Sequence, residues 1–312
     1  MEEKLIATRE SFGKALEELD DKRIIVLDAD VADSTKTSLF KSKYPERFIE
    51  CGISEADMIG EAAGFASCNK IPFVSTFAAF ATGRCYDQIR NIVCYPNLNV
   101  KIVGTHSGIT VGEDGATHQM LEDINLMRGL PNMVVLSTSD DISTKEIIKK
   151  MAEYDGPCYL RLSRQKTPVI YTDDARFEIG KGVQIGDGKD ATIFAIGDVV
   201  TEALKAQEIL RTFDIDTRVC DMYSIKPIDR ELIKKSAEET GLLFSVEDHN
   251  IIGGLGSAIA EVLCDEHPKK LERIGIEDSF GRSGRASSLM KFYKLDCDSI
   301  VERIKSKFIA SW

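Results

Sequence analysis

Arg23-Ile24-Ile25-Val26-Leu27-Asp28-Ala29-Asp30 decides the fold. An apolar run that ends on two carboxylates reads as a buried strand with a polar carboxyl end. The same style returns at Pro72-Phe73-Val74-Ser75-Thr76-Phe77, at Val100-Lys101-Ile102-Val103-Gly104 and at Met133-Val134-Val135-Leu136. Helical patterns lie between these runs, notably over residues 55–68 and 82–94. Such alternation predicts an α/β fold with a mainly parallel sheet flanked by helices. Ligands gather at the carboxyl ends of strands in these sheets. Asp28-Ala29-Asp30 and Thr105-His106 both follow strand candidates, so a site is expected there.

A second series starts at Ala191-Thr192-Ile193-Phe194-Ala195-Ile196-Gly197. It continues through Thr217-Arg218-Val219-Cys220-Asp221-Met222 and Leu242-Leu243-Phe244-Ser245-Val246-Glu247. Periodicity is weak between Gln165-Lys166-Thr167-Pro168 and Gly186-Asp187-Gly188. We therefore expect two domains of the same kind, over residues 1–170 and 191–312, with a linker over 171–190. At 312 residues the chain is long enough to give each a core.

The net charge of −11 argues against a general nucleic-acid or anionic-membrane binder, yet leaves room for a local phosphate pocket. There is no apolar run of about 18 residues, so no membrane span is expected. Met1-Glu2-Glu3-Lys4 does not read as a signal peptide. Eight cysteines without CxxC spacing predict buried free thiols in a reducing cytoplasm and no zinc site.

Two of the four histidines bracket Thr105-His106-Ser107-Gly108-Ile109-Thr110-Val111-Gly112-Glu113-Asp114-Gly115-Ala116-Thr117-His118. Three glycines, two carboxylates and several hydroxyls suit a polar pocket for an oxygen-rich substrate, though a surface loop would look similar. Histidine moves protons near neutral pH, and Asp114 could orient a histidine or bind a hydroxyl. Glu55 stands where a small-residue helix begins. It reads either as a helix-dipole partner or as a pocket acid with its pKa raised by apolar surroundings. Phe77 and Phe80 lie three apart, as an aromatic platform or as core. Arg9 and Arg164 are candidate phosphate anchors or surface ion-pair residues. Gly253-Gly254-Leu255-Gly256 reads as tight strand-to-helix packing rather than a phosphate turn, and Gly186-Asp187-Gly188 as a turn.

In order, these segments resemble the C-terminal half of transketolase, and most closely its separately encoded C-terminal subunits. The resemblance rests on Ala-Thr-Arg at 7–9, Gly-Ile-Ser-Glu at 52–55, Ser-Thr-Phe-x-x-Phe at 75–80, Gly-Glu-Asp-Gly-x-Thr-His-Gln at 112–119 and Leu-Ser-Arg-Gln at 162–165. Val246-Glu247-Asp248-His249 and Gly281-Arg282-Ser283-Gly284 extend it through the second half. It implies a pyrimidine-binding domain followed by the family's C-terminal domain. It also implies thiamine diphosphate as cofactor, with Mg²⁺ ligands and the diphosphate cradle on a partner N-terminal subunit, two copies of each chain assembling together. Glu55 matches the acid that bonds the pyrimidine N1′ and favours its imino tautomer. Phe80, with Phe77, matches the wall for that ring, and Asp30 a residue near it. His106 and Asp114 match sugar-hydroxyl contacts, and His118 a catalytic group near the ketose C1 hydroxyl and carbonyl. Arg9, Ser34 and Arg164 match phosphate anchors for sugar phosphates. The implied reaction moves a two-carbon ketol unit from ketose phosphate to aldose phosphate in the pentose phosphate pathway. Deoxyxylulose-phosphate synthase and 2-oxo-acid dehydrogenase β subunits share the first domain, and a non-catalytic regulatory subunit is a further alternative. Gly83 stands where many transketolases carry a pocket tyrosine, and Ala116 where a proline is common.

Overall fold

The apolar runs become the strands of two sheets in a computed structural model that describes residues 4–310. Residues 1–3, on which the signal-peptide reading partly rests, lie outside the described residues. The first half carries β1 (Leu5–Ala7), β2 (Ile24–Asp28), β3 (Phe48–Glu50), β4 (Ile71–Phe77), β5 (Lys101–Thr105), β6 (Val134–Ser137), β7 (Cys158–Arg161) and β8 (Lys166–Pro168). The second carries β9 (Val183–Ile185), β10 (Ala191–Ala195), β11 (Thr217–Asp221), β12 (Ser224–Lys226), β13 (Leu242–Asn250) and β14 (Leu271–Ile276).

The larger sheet has the order β12-β6-β7-β5-β4-β2-β3 and is parallel except for β12. The chain leaves β2 toward β3 on one side and leaves β4 toward β5 on the other. Connections that diverge in this way open a crevice at the carboxyl ends of β2 and β4. The smaller sheet has the order β14-β13-β10-β11-β9 and is parallel except for β9. Both halves therefore have the expected mainly parallel sheet flanked by helices.

The helix Glu55–Ser67 opens on two acids, as a helix dipole favours. Met58, Ile59, Ala62 and Ala63 are buried on the face that packs against β4. On its other side an added Cβ at Gly60 or Gly64 would meet nothing within 4 Å.

Three features depart from the expectations. Residues 82–94 do not form one α-helix: Ala79–Arg84 and Ile89–Cys94 are π-helical, around an α-turn at Tyr86–Gln88. Buried Ala81, Cys85, Ile89 and Val93 recur every four residues, and a wider winding than 3.6 residues per turn keeps them on one face. The segment 171–190 contains β9 and is packed rather than loose. Phe177, 2% exposed, sits edge-on to both Tyr171 and Tyr223. Last, the chain crosses back from the second half as β12, which pairs with β6 and covers an otherwise open sheet edge.

The thiols are all free. Cys85, Cys94, Cys158 and Cys220 are buried as expected, whereas Cys68 and Cys264 are exposed because they lie at helix ends turned to solvent. Among the described residues no helix is long and apolar enough to cross a membrane.

The two halves meet across buried charge. Arg161, at the end of β7, donates to Asp123 Oδ2 at 3.0 Å and to the Asp248 carbonyl on β13 at 2.6 Å. Tyr159 Oη donates to the same Asp123 at 2.7 Å. Both partners of the ion pair are almost fully buried. Removing one member leaves the other charge unpaired, so Arg161→Met is expected to cost about 3–5 kcal/mol. Urea unfolding reads this directly, and a loss below about 1 kcal/mol would mean that Arg161, through Asp123 and the Asp248 carbonyl, does not anchor the junction.

Candidate functional site

The antiparallel pairing of β1 with β8 sets Ala7 opposite Lys166. It brings the start of the helix Thr8–Glu18 beside the end of the first domain, where Ser163 N donates to Thr8 Oγ1 at 3.0 Å. Arg9, in that first turn, then reaches two further elements. Its Nη1 donates to the Ser34 carbonyl at 2.7 Å and lies 3.2 Å from His106 Nε2. Asp28 is wholly buried and shapes the turn after β2 by accepting from Val31 N, Thr35 Oγ1 and Thr37 Oγ1. Asp30 is exposed, with its backbone N–H on Glu50. Asp30 (φ 60°) and His106 (φ 56°) both adopt the left-handed conformation just beyond a strand. Such backbone is uncommon for a residue with a side chain, although Asp and His adopt it more readily than most, and here it turns the chain sharply beyond each strand.

Neighbours fix the protonation of His106. Arg9 can only donate, so Nε2 must present a lone pair. Nδ1 then carries the hydrogen and donates to Thr105 Oγ1 at 2.9 Å. Burial, followed by the charges of Arg9 and Arg164, lowers the His106 pKa to about 3. The ring is a neutral acceptor at physiological pH rather than the proton carrier its usual pKa suggested. It stacks on Phe77 at 3.9 Å and 17°.

Phe77 in turn lies parallel to Phe80, with centroids 5.8 Å apart, and His118 stands edge-on to Phe80 at 5.3 Å. Thr117 Oγ1 is 3.0 Å from His118 Nδ1. Glu55 reaches the same wall from its helix and is 3% exposed. It does not sit in purely apolar surroundings, because Arg84 Nη1 donates to its Oε2 at 2.7 Å. Arg84 also lies over Phe80, 4.7 Å from the ring centroid. Phe80, Gly83 and Arg84 open onto a cavity of about 580 Å³ whose far wall includes Met120, Asn250 and Phe280.

Arg164 Nη1 lies 3.4 Å from Asp114 Oδ2, with both side chains exposed, so Asp114 is turned to an arginine and not to a histidine. Burial and then the Arg164 charge lower the pKa of Arg9. The buried Arg9 Nε has no partner among the described residues. Two crowded guanidiniums, one with an unused donor, offer the kind of donors an anion needs. The helix that opens at Leu255 offers no such site, because Glu247 accepts from Leu255 N and Gly256 N. Among the described residues no three His, Cys, Asp or Glu side chains are grouped to hold a metal.

The structure thus brings Arg9, Ser34, His106, Phe77, Phe80, His118 and Glu55 to one crevice. Asp114 and Arg164 lie at its rim, and Asp30 beyond β2. Sequence reasoning missed Arg84, Thr105 and Thr117. A threonine directly before each histidine, and an arginine four residues after Phe80, were the available signals.

Residues 4–169 match the transketolase pyrimidine-binding domain and residues 180–300 the transketolase C-terminal domain. A Methanocaldococcus jannaschii protein provisionally named a transketolase C-terminal section is 53% identical over 95% of this chain and 94% of its own length. A 6-deoxy-6-sulfo-D-fructose transketolase subunit of Clostridium sp. (strain MSTE9) is 40% identical, over 90% of this chain and 87% of its length. A solved split-gene transketolase, described as an inactive β4 tetramer, superposes with a TM-score of 0.91 at 48% identity. That match covers 97% of this chain and 99% of the other.

The lowered His106 pKa carries a stability prediction. The unfolded chain binds a proton on this ring near pH 6.5, and the folded chain only near pH 3. Stability is therefore lost as pH falls through that window, with a slope of up to about 1.4 kcal/mol per pH unit. His106→Gln should flatten the unfolding free energy between pH 6.5 and 4. Parallel wild-type and variant curves would refute the buried neutral ring.

Proposed function

The chain belongs to the transketolase family, and from that premise we propose that it is the C-terminal subunit of a two-chain, thiamine diphosphate-dependent transketolase. It works in the cytoplasm, in the pentose phosphate pathway, with an N-terminal subunit and two copies of each chain. One arrangement carries the reading: a buried carboxylate, Glu55, and an aromatic face, Phe80, hold a flat cation between them at the β2–β4 crevice.

That geometry fits an aminopyrimidine, which offers a plane to stack on Phe80 and, in its imino or ring-protonated form, a ring N–H to donate to Glu55. Glu55, Phe80 and Phe77 would hold this end, with Asp30 nearby. The diphosphate and its Mg²⁺ would be held by the partner chain. When bound, thiamine diphosphate supplies the nucleophilic carbon that carries the ketol unit between sugars.

The remaining roles belong to this chain. Glu55 accepts a hydrogen bond from the ring N–H and so keeps the hydrogen on that nitrogen. His106 Nε2, already shown a donor by Arg9, accepts from a sugar hydroxyl when that donor turns to phosphate. His118 stands over the Phe80 edge, where it bonds the ketose C1 hydroxyl and carbonyl and moves a proton at that oxygen. Asp114 takes a second hydroxyl. Arg9, Arg164 and the Ser34 region bind the terminal phosphate. A relative named for a sulfonated ketose supports an anionic sugar terminus as the feature read by the two arginines. The open Gly60–Gly64 face of the Glu55 helix has room for the partner's close approach.

The test is reconstitution with a chain carrying the diphosphate-binding domain, followed by assay of xylulose 5-phosphate with ribose 5-phosphate. Cofactor-dependent sedoheptulose 7-phosphate should form only with both chains. Pyruvate consumption in its place would point to the related synthase or dehydrogenase chemistry. In that complex Glu55→Gln should lower kcat about 10²–10⁴-fold, the usual contribution of a positioned acid–base group. Unchanged turnover would remove Glu55 from its role. Arg164→Ala should raise KM about tenfold for sugar phosphates and leave unphosphorylated erythrulose unaffected. An equal effect on both substrates would contradict the anchor.

A further inference from the structure

Arg84 joins the two groups that the proposed pyrimidine pocket needs. Its Nη1 donates to Glu55 Oε2 at 2.7 Å, and its guanidinium carbon lies 4.7 Å from the Phe80 centroid. Both contacts come from one local feature. The π-helical winding of Ala79–Arg84 sets Phe80 and Arg84 side by side, four residues apart. A guanidinium is flat, donates in its own plane and stacks on aromatic faces. An aminopyrimidine with a hydrogen on its ring nitrogen presents the same two features. Two flat groups cannot stack on the same face of Phe80 while both are held in plane against Glu55 Oε2.

We propose that Arg84 occupies the pyrimidine position in the free chain, so that cofactor binding must displace it and Arg84 sets cofactor affinity by competition. The inference rests on the reading of Glu55 and Phe80 as the pyrimidine pocket. A carboxylate as buried as Glu55, whose side chain is 4% exposed, is costly to leave unpaired. Arg84 spares the free chain that cost, and the ring nitrogen takes over when it arrives. Glu55 thus exchanges one donor for another.

Arg84 also has somewhere to go. Its side chain is half exposed and borders the cavity of about 580 Å³ together with Gly83 and Met120. At Gly83 an added Cβ would meet only Met120 Cε, at 4.0 Å. The guanidinium can swing into this space by side-chain rotation, with no backbone change. Gly83, which departs from the family's common tyrosine, keeps that space clear.

The experiment is calorimetric titration of thiamine diphosphate, with Mg²⁺ present, into the complex of this chain and its diphosphate-domain partner. Arg84→Met keeps the length of the side chain and removes its donors. Its Kd should fall about three- to tenfold below wild type, the scale of a half-exposed ion pair plus a cation–π contact. Arg84→Lys retains the charge without the flat fork and should fall between the two. An unchanged or higher Kd for Arg84→Met overturns the proposal, since it would make Arg84 neutral or helpful to the bound state. If Arg84→Met does not fold, Arg84→Lys decides alone: tighter binding than wild type supports competition, and equal or weaker binding overturns it. A wild-type complex that binds no thiamine diphosphate would instead defeat the pyrimidine reading of the pocket.

Discussion

Buried charge at the junction of the two halves is the constraint on which the rest of the structure depends. Arg161 and Asp123 have left water almost completely, which is tolerable only when each remaining hydrogen-bonding position finds a partner. Tyr159 and the Asp248 carbonyl provide those partners. The Asp248 carboxylate then turns to the histidine segment and accepts from Ile109 N at 3.0 and 3.1 Å. Gly108 (φ +74°) packs directly against that carboxylate, where a Cβ would collide with it. Gln119 ties off the far end by donating to the carbonyls of Ile109 and Arg282, while Ser283 Oγ donates to the Glu113 carbonyl. The second half therefore holds the segment that bears His106 and His118, and it lines the adjoining cavity through Asn250 and Phe280.

That division explains why so many titratable groups lie away from the crevice. Burial pushes Asp198, Glu247 and Asp221 up to about 7. Each has a structural partner: Ser163 for Asp198, the amides of Leu255 and Gly256 for Glu247, Ser139 and Tyr171 for Asp221. Asp198 and Asp221 bind hydroxyls across the junction, and Glu247 organises the turn before Leu255 within the second half. The crevice itself has the opposite electrostatics. Arg9, Arg164 and Lys36 all act on His106, so an acidic molecule presents a local positive pocket where an anionic sugar end is proposed to bind.

Much of this was legible in the chain because the relevant forces are local. The runs at 24–28, 71–77 and 101–105 are apolar enough to be strands in any packed setting, and their polar ends marked the crevice. The small-residue helix after Glu55 was equally plain. The short strands were not legible. Leu5–Ala7, Val183–Ile185 and Ser224–Lys226 have three residues each, too few for a period, and exist because a neighbouring strand edge needs partners. The π winding of 79–94 was hidden because its four-residue repeat differs from an α-helical one only when the buried face is known.

The sequence by itself determined the alternation of strand and helix, the two-part organisation and the identity of the polar residues beyond the strands. These follow from hydrophobic periodicity and from motifs whose order along the chain is specific. Only the tertiary structure decided the chemical state of those residues. It made His106 a neutral acceptor by setting Arg9, distant in sequence, against its Nε2. It gave Glu55 an arginine partner, and it turned Asp114 toward Arg164. Charge state and hydrogen-bond direction depend on burial and on the nearest opposing group. In a parallel sheet those neighbours arrive from strands and loops far apart in the chain, so no local stretch of residues encodes them.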